Sequence, residues 1–299
     1  MKLIRPVAIT DDVLTETNAT ETVPAWAVGV TYAQGDRVRN DATHRIYESQ
    51  MVTGNTGNDP TTDNGTKWLD IEPTNAWAMF DQFSQTQTQA PDAVTVTLEP
   101  PGIVDGLALL NIDAAEVTVT VTDALAGEVY SEAFDLVSTS NVGADFYAWA
   151  FEPIIRRTDL HVEGLPVYAN PTIEVTVSSP GAVASVGNLV IGRQRELGAT
   201  VYGAGFGIID SSRKEADDFG NVKIVQRSYR KTGTFEVMVA RQMVDEVGRL
   251  LTLYRAEPVV YIGTGEFASS IYHGFFRDFR VVVETYPQAK LTIEIEGLA

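Results

Sequence analysis

The chain has no cysteine, and only three histidines stand among its 299 residues. The missing thiols exclude a disulfide framework, a thiolate metal site and a cysteine nucleophile, so any small unit must hold together by packing alone. This suits folding in a reducing cytosol. Positive charge is scarce as well: 22 Lys and Arg face 40 Asp and Glu, for a formal net charge of -18. Neutralising a phosphate backbone needs clustered basic residues, so neither duplex nucleic acid nor an anionic membrane surface is an expected partner. Nowhere does an uninterrupted apolar run approach a membrane span. Met1 to Thr10 lacks the apolar centre of a signal peptide, so neither membrane insertion nor export by that route is expected.

What is present divides unevenly. Residues 1–72 carry 6 basic and 11 acidic side chains, 73–190 carry 2 and 15, and 191–299 carry 14 and 14. With roughly 100 to 200 residues per domain, two or three units are expected. The acidic middle reads as a solvated face or as a surface turned toward a basic partner. Its short alternating runs are Val94 to Leu98, Glu116 to Val121 and Thr172 to Val177, with turns at Pro100-Pro-Gly102, Ala126-Gly127 and Pro180-Gly181. Period two with β-branched residues predicts an antiparallel, jelly-roll-like β-sandwich. Leu107 to Ile112 and Asn188 to Gly192 are more continuously apolar and suit its central strands.

Further on, Met243, Val244, Val247, Leu250, Leu251 and Tyr254 share one helical face ahead of Pro258, which predicts a helix within Arg241 to Ala256. Flanked by Thr234–Val239 and Val259–Ile262, and followed by strands at Arg277–Val283 and Leu291–Ile295, it gives an α+β domain with one main helix. The expected fold is therefore mainly β and multi-domain. It comprises an N-terminal strand or arm (1–22), a small aromatic β module (23–72), the sandwich (73–192) and an α+β assembly domain (193–299).

The module carries Ala25-Trp26, Tyr32, Gly35-Asp36-x-Val38, Tyr47, Gly57-x-x-Pro60 and Trp68. This pattern resembles carbohydrate-binding modules of the chitin-binding type, and the resemblance implies a glycan-binding role for Trp26, Tyr32, Tyr47 and Trp68. A flat ring can stack on the C–H face of a pyranose. The same rings can equally be the core that a tiny domain without disulfides requires. Glu48-Ser49-Gln50-Met51 and Asn58-Asp59 stand where such modules present further exposed aromatics, so the fold is expected to be kept and the glycan affinity to be weak or altered.

Immediately downstream, Asn75-Ala-Trp77-Ala-Met79-Phe80-Asp81, the segment Asp210 to Asn221 and the ending Ile293 to Ala299 are similar to tail proteins of siphophages. That resemblance implies a tail-tip, baseplate or fibre-attachment component of the virion, made in the bacterial host cytoplasm. It further implies a homo-oligomer with other phage tail proteins as neighbours and a host-surface glycan as a further contact. From the residues alone comes only a cysteine-free, acidic β protein whose strand edges suit assembly.

Catalytic patterns are sparse. His44, His161 and His273 lie far apart with no ligand at metal spacing, so no metal or cofactor is expected. No Gly-x-Ser-x-Gly elbow occurs. Gly203-Ala-Gly-Phe-Gly207 opens no helical pattern and reads as a bend between strands. Asp210, Glu215, Asp217 and Asp218 are the best candidates for a glycosidase pair, but Arg213, Lys214 and the surrounding Ser, Gly and Asn favour a solvated turn. Calcium-loop spacing is missing there. No catalytic residue is assigned and the chain is not expected to be an enzyme. The alternatives are a polysaccharide-degrading enzyme, which needs a cleft with two inward acids, and a free-standing glycan-binding adhesin, which needs exposed aromatics.

Overall fold

Alternation becomes strand almost everywhere in the computed structural model, which describes residues 1–137, 151, 155–216, 221–265, 267–283 and 287–298. Two strands, β1 (Lys2–Pro6) and β2 (Leu14–Thr17), lead the chain. The module holds β3 (Thr31–Tyr32), β4 (Arg37–Asn40), β5 (Arg45–Ser49), β6 (Asn55–Thr56) and β7 (Trp68–Pro73). The middle holds β8 (Thr88–Leu98), β9 (Gly106–Asp113), β10 (Glu116–Asp123), β11 (Gly127–Asp135), β12 (Leu160–Glu163) and β13 (Thr172–Glu196). The last part holds β14 (Ala199–Thr200), β15 (Gly205–Asp210), β16 (Arg213–Ala216), β17 (Val222–Val225) and β18 (Tyr229–Ala240). It continues with α1 (Val244–Leu253), β19 (Val259–Ile262), β20 (Ile271–Val282) and β21 (Gln288–Gly297). The fold is mainly β, in several antiparallel sheets with one main helix.

In the middle, Val117, Val119 and Val121 of β10 turn inward while the intervening threonines turn out, as period two requires. They meet Val94, Val96 and Leu98 of β8, Ile173, Val175 and Val177 of β13, and Leu107 and Leu109 of β9 in one core. A turn is predicted at Pro180-Gly181, yet β13 runs through it as a single strand of 25 residues. The reason is its partner. Strand β8 bends in step at Asp92, which has φ 62°, and the Asp92 carboxylate accepts the Gly181 N–H at 2.8 Å. Pro180 therefore sits in an irregularity where the ladder needs no donor. Both strands pass from one layer of the sandwich into the other, the corner device of sheets packed at an angle.

The N-terminal strand β1 is internal. It pairs with β13 on one side (Lys2↔Glu196 to Pro6↔Gly192) and with β19 on the other. Alternation then gives its two faces to two cores. Leu3 joins Phe235, Val237, Leu251, Tyr261 and Leu291 under α1, whereas Ile4 joins Ala108, Leu110, Val190, Val260 and Ile271. The second cluster welds the sandwich to the C-terminal domain. Residue 192 thus lies within the strand that links the two units. The helix packs on the C-terminal sheet through Val247, Leu251 and Tyr254 as its apolar spacing predicts. Strands β18 and β19 at its ends are separated by β21 and β20 and run antiparallel to each other.

His273 on β20 is buried, and its Nδ1 has no hydrogen-bond partner among the described residues. Burial pushes its pKa down to about 4, from 6.5. The folded chain keeps this ring neutral while the unfolded chain protonates near 6.5, so its contribution is intact above that pH and fades as pH falls toward 4. Urea midpoints measured between those limits are expected to report a loss of roughly 3 kcal/mol from this group. In His273→Leu that part of the acid dependence should vanish.

Candidate functional site

Four side chains of the module, which the sequence offers either as glycan platform or as core, are brought together by the structure. Tyr32, Tyr47 and Trp68 are buried around Val38, and half-buried Trp26 packs against them. Trp68 is 2% exposed and meets Tyr32 edge-on, with centroids 5.4 Å apart. Its Nε1–H donates to the Asn58 carbonyl at 2.9 Å, so the Gly57-x-x-Pro60 loop is folded down onto the indole. Asp63 fastens the other side, accepting the N–H groups of Gly65, Lys67 and Trp68 at 2.9 to 3.0 Å. Desolvation opposes, but those donors together hold the Asp63 carboxyl below its usual range. The Tyr32 hydroxyl accepts the Ala27 N–H at 2.8 Å and the Tyr47 hydroxyl lies 3.2 Å from Thr43 Oγ1. Ser49 and Asn55 are buried, and Asn58 is tied to Asn55 and Lys67. Stacking on a sugar needs an open ring face, and none of Tyr32, Tyr47 and Trp68 offers one.

The junction segment after the module is a clamp. Asn75 donates to the carbonyls of Thr20 and Gln89 at 3.0 and 2.8 Å, and its Oδ1 accepts the Gln89 N–H at 2.9 Å. Glu21 accepts the N–H groups of Asn75 and Ala76 at 3.0 and 2.9 Å. Trp77 stacks on His44 at 3.9 Å with an interplanar angle of 17°. Met79 and Phe80 then enter the sandwich core. Asp81 closes the segment by accepting from Thr86 Oγ1 and the Phe83 N–H at 2.7 and 2.8 Å, and burial raises its pKa. This segment thus fixes the module to the sandwich.

Two further features are exposed. The first is an arm: β15 pairs along β18, and β16 and β17 form their own two-stranded ribbon. Ile208, Val222 and Tyr229 stand in solvent, and Ile224 is 64% exposed. Of the four carboxylates weighed for catalysis, Asp210 and Glu215 lie on this arm, while Asp217 and Asp218 fall outside the described residues. Asp210 accepts the Ser212 N–H at 2.8 Å and pairs with Lys214 at 3.3 Å; hydrogen bonds from the Ser212 side chain and N–H, and then Lys214, lower its pKa, and Glu215 pairs with Arg213. These are the contacts of a solvated turn.

The second is a cleft of about 530 Å³ between the sandwich and the C-terminal domain, lined by Lys2, His161, Glu163, Tyr202, Phe206 and Phe267. Tyr202, beside the glycine-rich bend, is fully exposed, and both phenylalanines are partly exposed. Lys2 pairs with Glu163, and His161 Nε2 lies 3.1 Å from Gln194 Oε1. Burial lowers the His161 pKa. Open rings beside hydroxyl-bonding groups are what a sugar face requires. Tyr202, Phe206 and Phe267 carry no signal in the sequence because they converge only in space. The arm had a local signal, the apolar alternation of Phe206-Gly-Ile208 and Val222-Lys-Ile224 around a polar turn. Among the described residues no group of three or more His, Asp or Glu could hold a metal ion, and no helix is long and apolar enough to cross a membrane.

No family model, curated protein or solved structure matches the chain.

Proposed function

We propose that this chain is a structural component of a bacteriophage tail tip, baseplate or fibre-attachment region, that it works as one of several identical copies, and that it performs no catalysis. The observation that carries this is the exposed arm. Ile208, Val222, Ile224 and Tyr229 are all exposed along it, where a monomer gains nothing from them, and exposed apolar side chains gathered in one segment suit a protein–protein contact. The continuous hydrogen-bonded path from β11 through β13 and β1 to β18 supports the same reading, because load applied at one end passes along backbone ladders. Mass spectrometry of tailed particles purified from cells that carry this coding sequence should find the chain at a fixed copy number per particle. Particles lacking it would overturn the proposal.

A weak contact with a host-surface glycan is a second reading, favoured by the cleft. Tyr202 and Phe267 would stack the sugar, with Glu163 and Lys2 bonding its hydroxyls. Polysaccharide pull-down should then be lost in Tyr202→Ala/Phe267→Ala. Binding unaffected by that pair would remove the cleft from consideration.

A further inference from the structure

The loop that fastens the module's buried tryptophan contains the chain's one Asn-Gly sequence, Asn64-Gly65. Every other asparagine is followed by proline or by a residue whose side chain crowds the next backbone nitrogen. Residues 64 to 66 are exposed, and Gly65 has φ 87°. Two hydrogen bonds meet at this dipeptide. The Gly65 N–H donates to Asp63 Oδ2 at 2.9 Å, and the Thr66 hydroxyl donates to Asn64 Oδ1 at 2.8 Å. Asp63 also accepts the N–H groups of Lys67 and Trp68, and against desolvation these donors keep it ionised near neutral pH. Asn64 Nδ2 forms no hydrogen bond among the described residues.

We infer that Asn64 is a self-modification site, at which the chain converts its own side-chain amide into an isoaspartyl linkage beside Trp68. In the first step the Gly65 nitrogen forms a bond to Asn64 Cγ. Its proton passes through the Asp63 carboxylate to the departing Nδ2, the Cγ–Nδ2 bond breaks, and ammonia leaves a succinimide ring. Water then opens the ring. Breaking the bond from the Gly65 nitrogen to Cγ gives aspartate, and breaking the bond to the backbone carbonyl carbon gives isoaspartate. Ammonia is exchanged for water, with no oxidant or reductant. Both hydrogen bonds serve the first step: the carboxylate draws the proton from the attacking nitrogen, and the Thr66 hydroxyl supports the negative charge that grows on Oδ1 as Cγ becomes tetrahedral. Glycine has no Cβ to obstruct the approach. In the isoaspartyl product the backbone runs through the former side chain and is longer by one methylene. Asp63 holds the N–H groups of Gly65, Lys67 and Trp68 in one register, so the change loosens the ring that fills the module core. This site is independent of the tail-subunit reading.

Ageing the purified chain for several weeks at neutral pH and physiological temperature tests the inference, with conversion read by peptide mapping and electron-transfer fragmentation. The peptide spanning Asn64 should gain about 1 Da and carry the isoaspartate signature at that residue, and Asn64→Gln should lose the gain. Thr66→Val should slow conversion by roughly three- to ten-fold, the worth of one exposed hydrogen bond, whereas Thr66→Ser, which keeps the hydroxyl, should convert at the native rate. Circular dichroism reports that each variant is folded. No conversion at Asn64, or native-rate conversion in folded Thr66→Val, would overturn the proposal. Limited proteolysis should cut the converted chain within 23–72 faster than the fresh chain, and equal resistance would overturn the effect assigned to Trp68.

Discussion

Gly192→Ala is expected to lower the melting temperature sharply and to loosen the N-terminal strand from the sheet. At residue 192 the backbone of β13 passes β1 so closely that an added Cβ would lie 1.9 Å from the Arg5 carbonyl oxygen. That neighbour is backbone of β1, paired with β13 at Arg5 and with β19 through Ile4, so it cannot swing aside as a flexible side chain would. Separating the strands weakens the register Lys2↔Glu196 to Pro6↔Gly192 and draws Leu3 and Ile4 out of two cores together. Overpacking of this kind costs roughly 3 kcal/mol. At about 2.1 cal/mol/K of unfolding entropy per residue, a chain of this size would then melt about 5 °C lower, measured by calorimetry. Gly248→Ala is the control of opposite sign: it lies in α1 with nothing near its added methyl, and exchanging a helical glycine for alanine gains roughly 1 kcal/mol. A Gly192 variant melting like the native chain would refute the role given to β1.

Trp68→Ala should unfold the module and leave the rest standing. The indole is the largest fully buried side chain in a cluster of five residues, and its Nε1–H anchors the Asn58 loop. Truncating a buried tryptophan costs roughly 3 to 5 kcal/mol. A unit of this size without disulfides has little stability to lose. The sandwich core draws on no residue of the module, so limited proteolysis is expected to cut within 23–72 while the remainder stays intact. A variant that kept a protected, folded module and lost only glycan binding would identify Trp68 as a ligand contact instead of core.

Period two in β10 and the helical face of α1 were legible because each depends on neighbours a few residues apart. In the module, a Trp that stacks on a sugar and a Trp that fills a core look alike in sequence. The 2% exposure of Trp68, with the Asn58 carbonyl on its Nε1–H, separates them. Pro180-Gly181 misled because the bend it makes is absorbed by Asp92 on a strand far away in the chain. The internal position of β1 was invisible for the same reason, since Lys2 finds its partner at Glu196. The cleft was out of reach as well, with Lys2, Glu163, Tyr202 and Phe267 contributed by four separate segments.

Native mass spectrometry of the purified chain across a concentration series tests the central claim most directly. A self-assembling tail subunit predicts multiples of the 32.5 kDa mass that dissociate on dilution. A species that remained at the single-chain mass at every concentration, with its arm exposed to solvent, would contradict it.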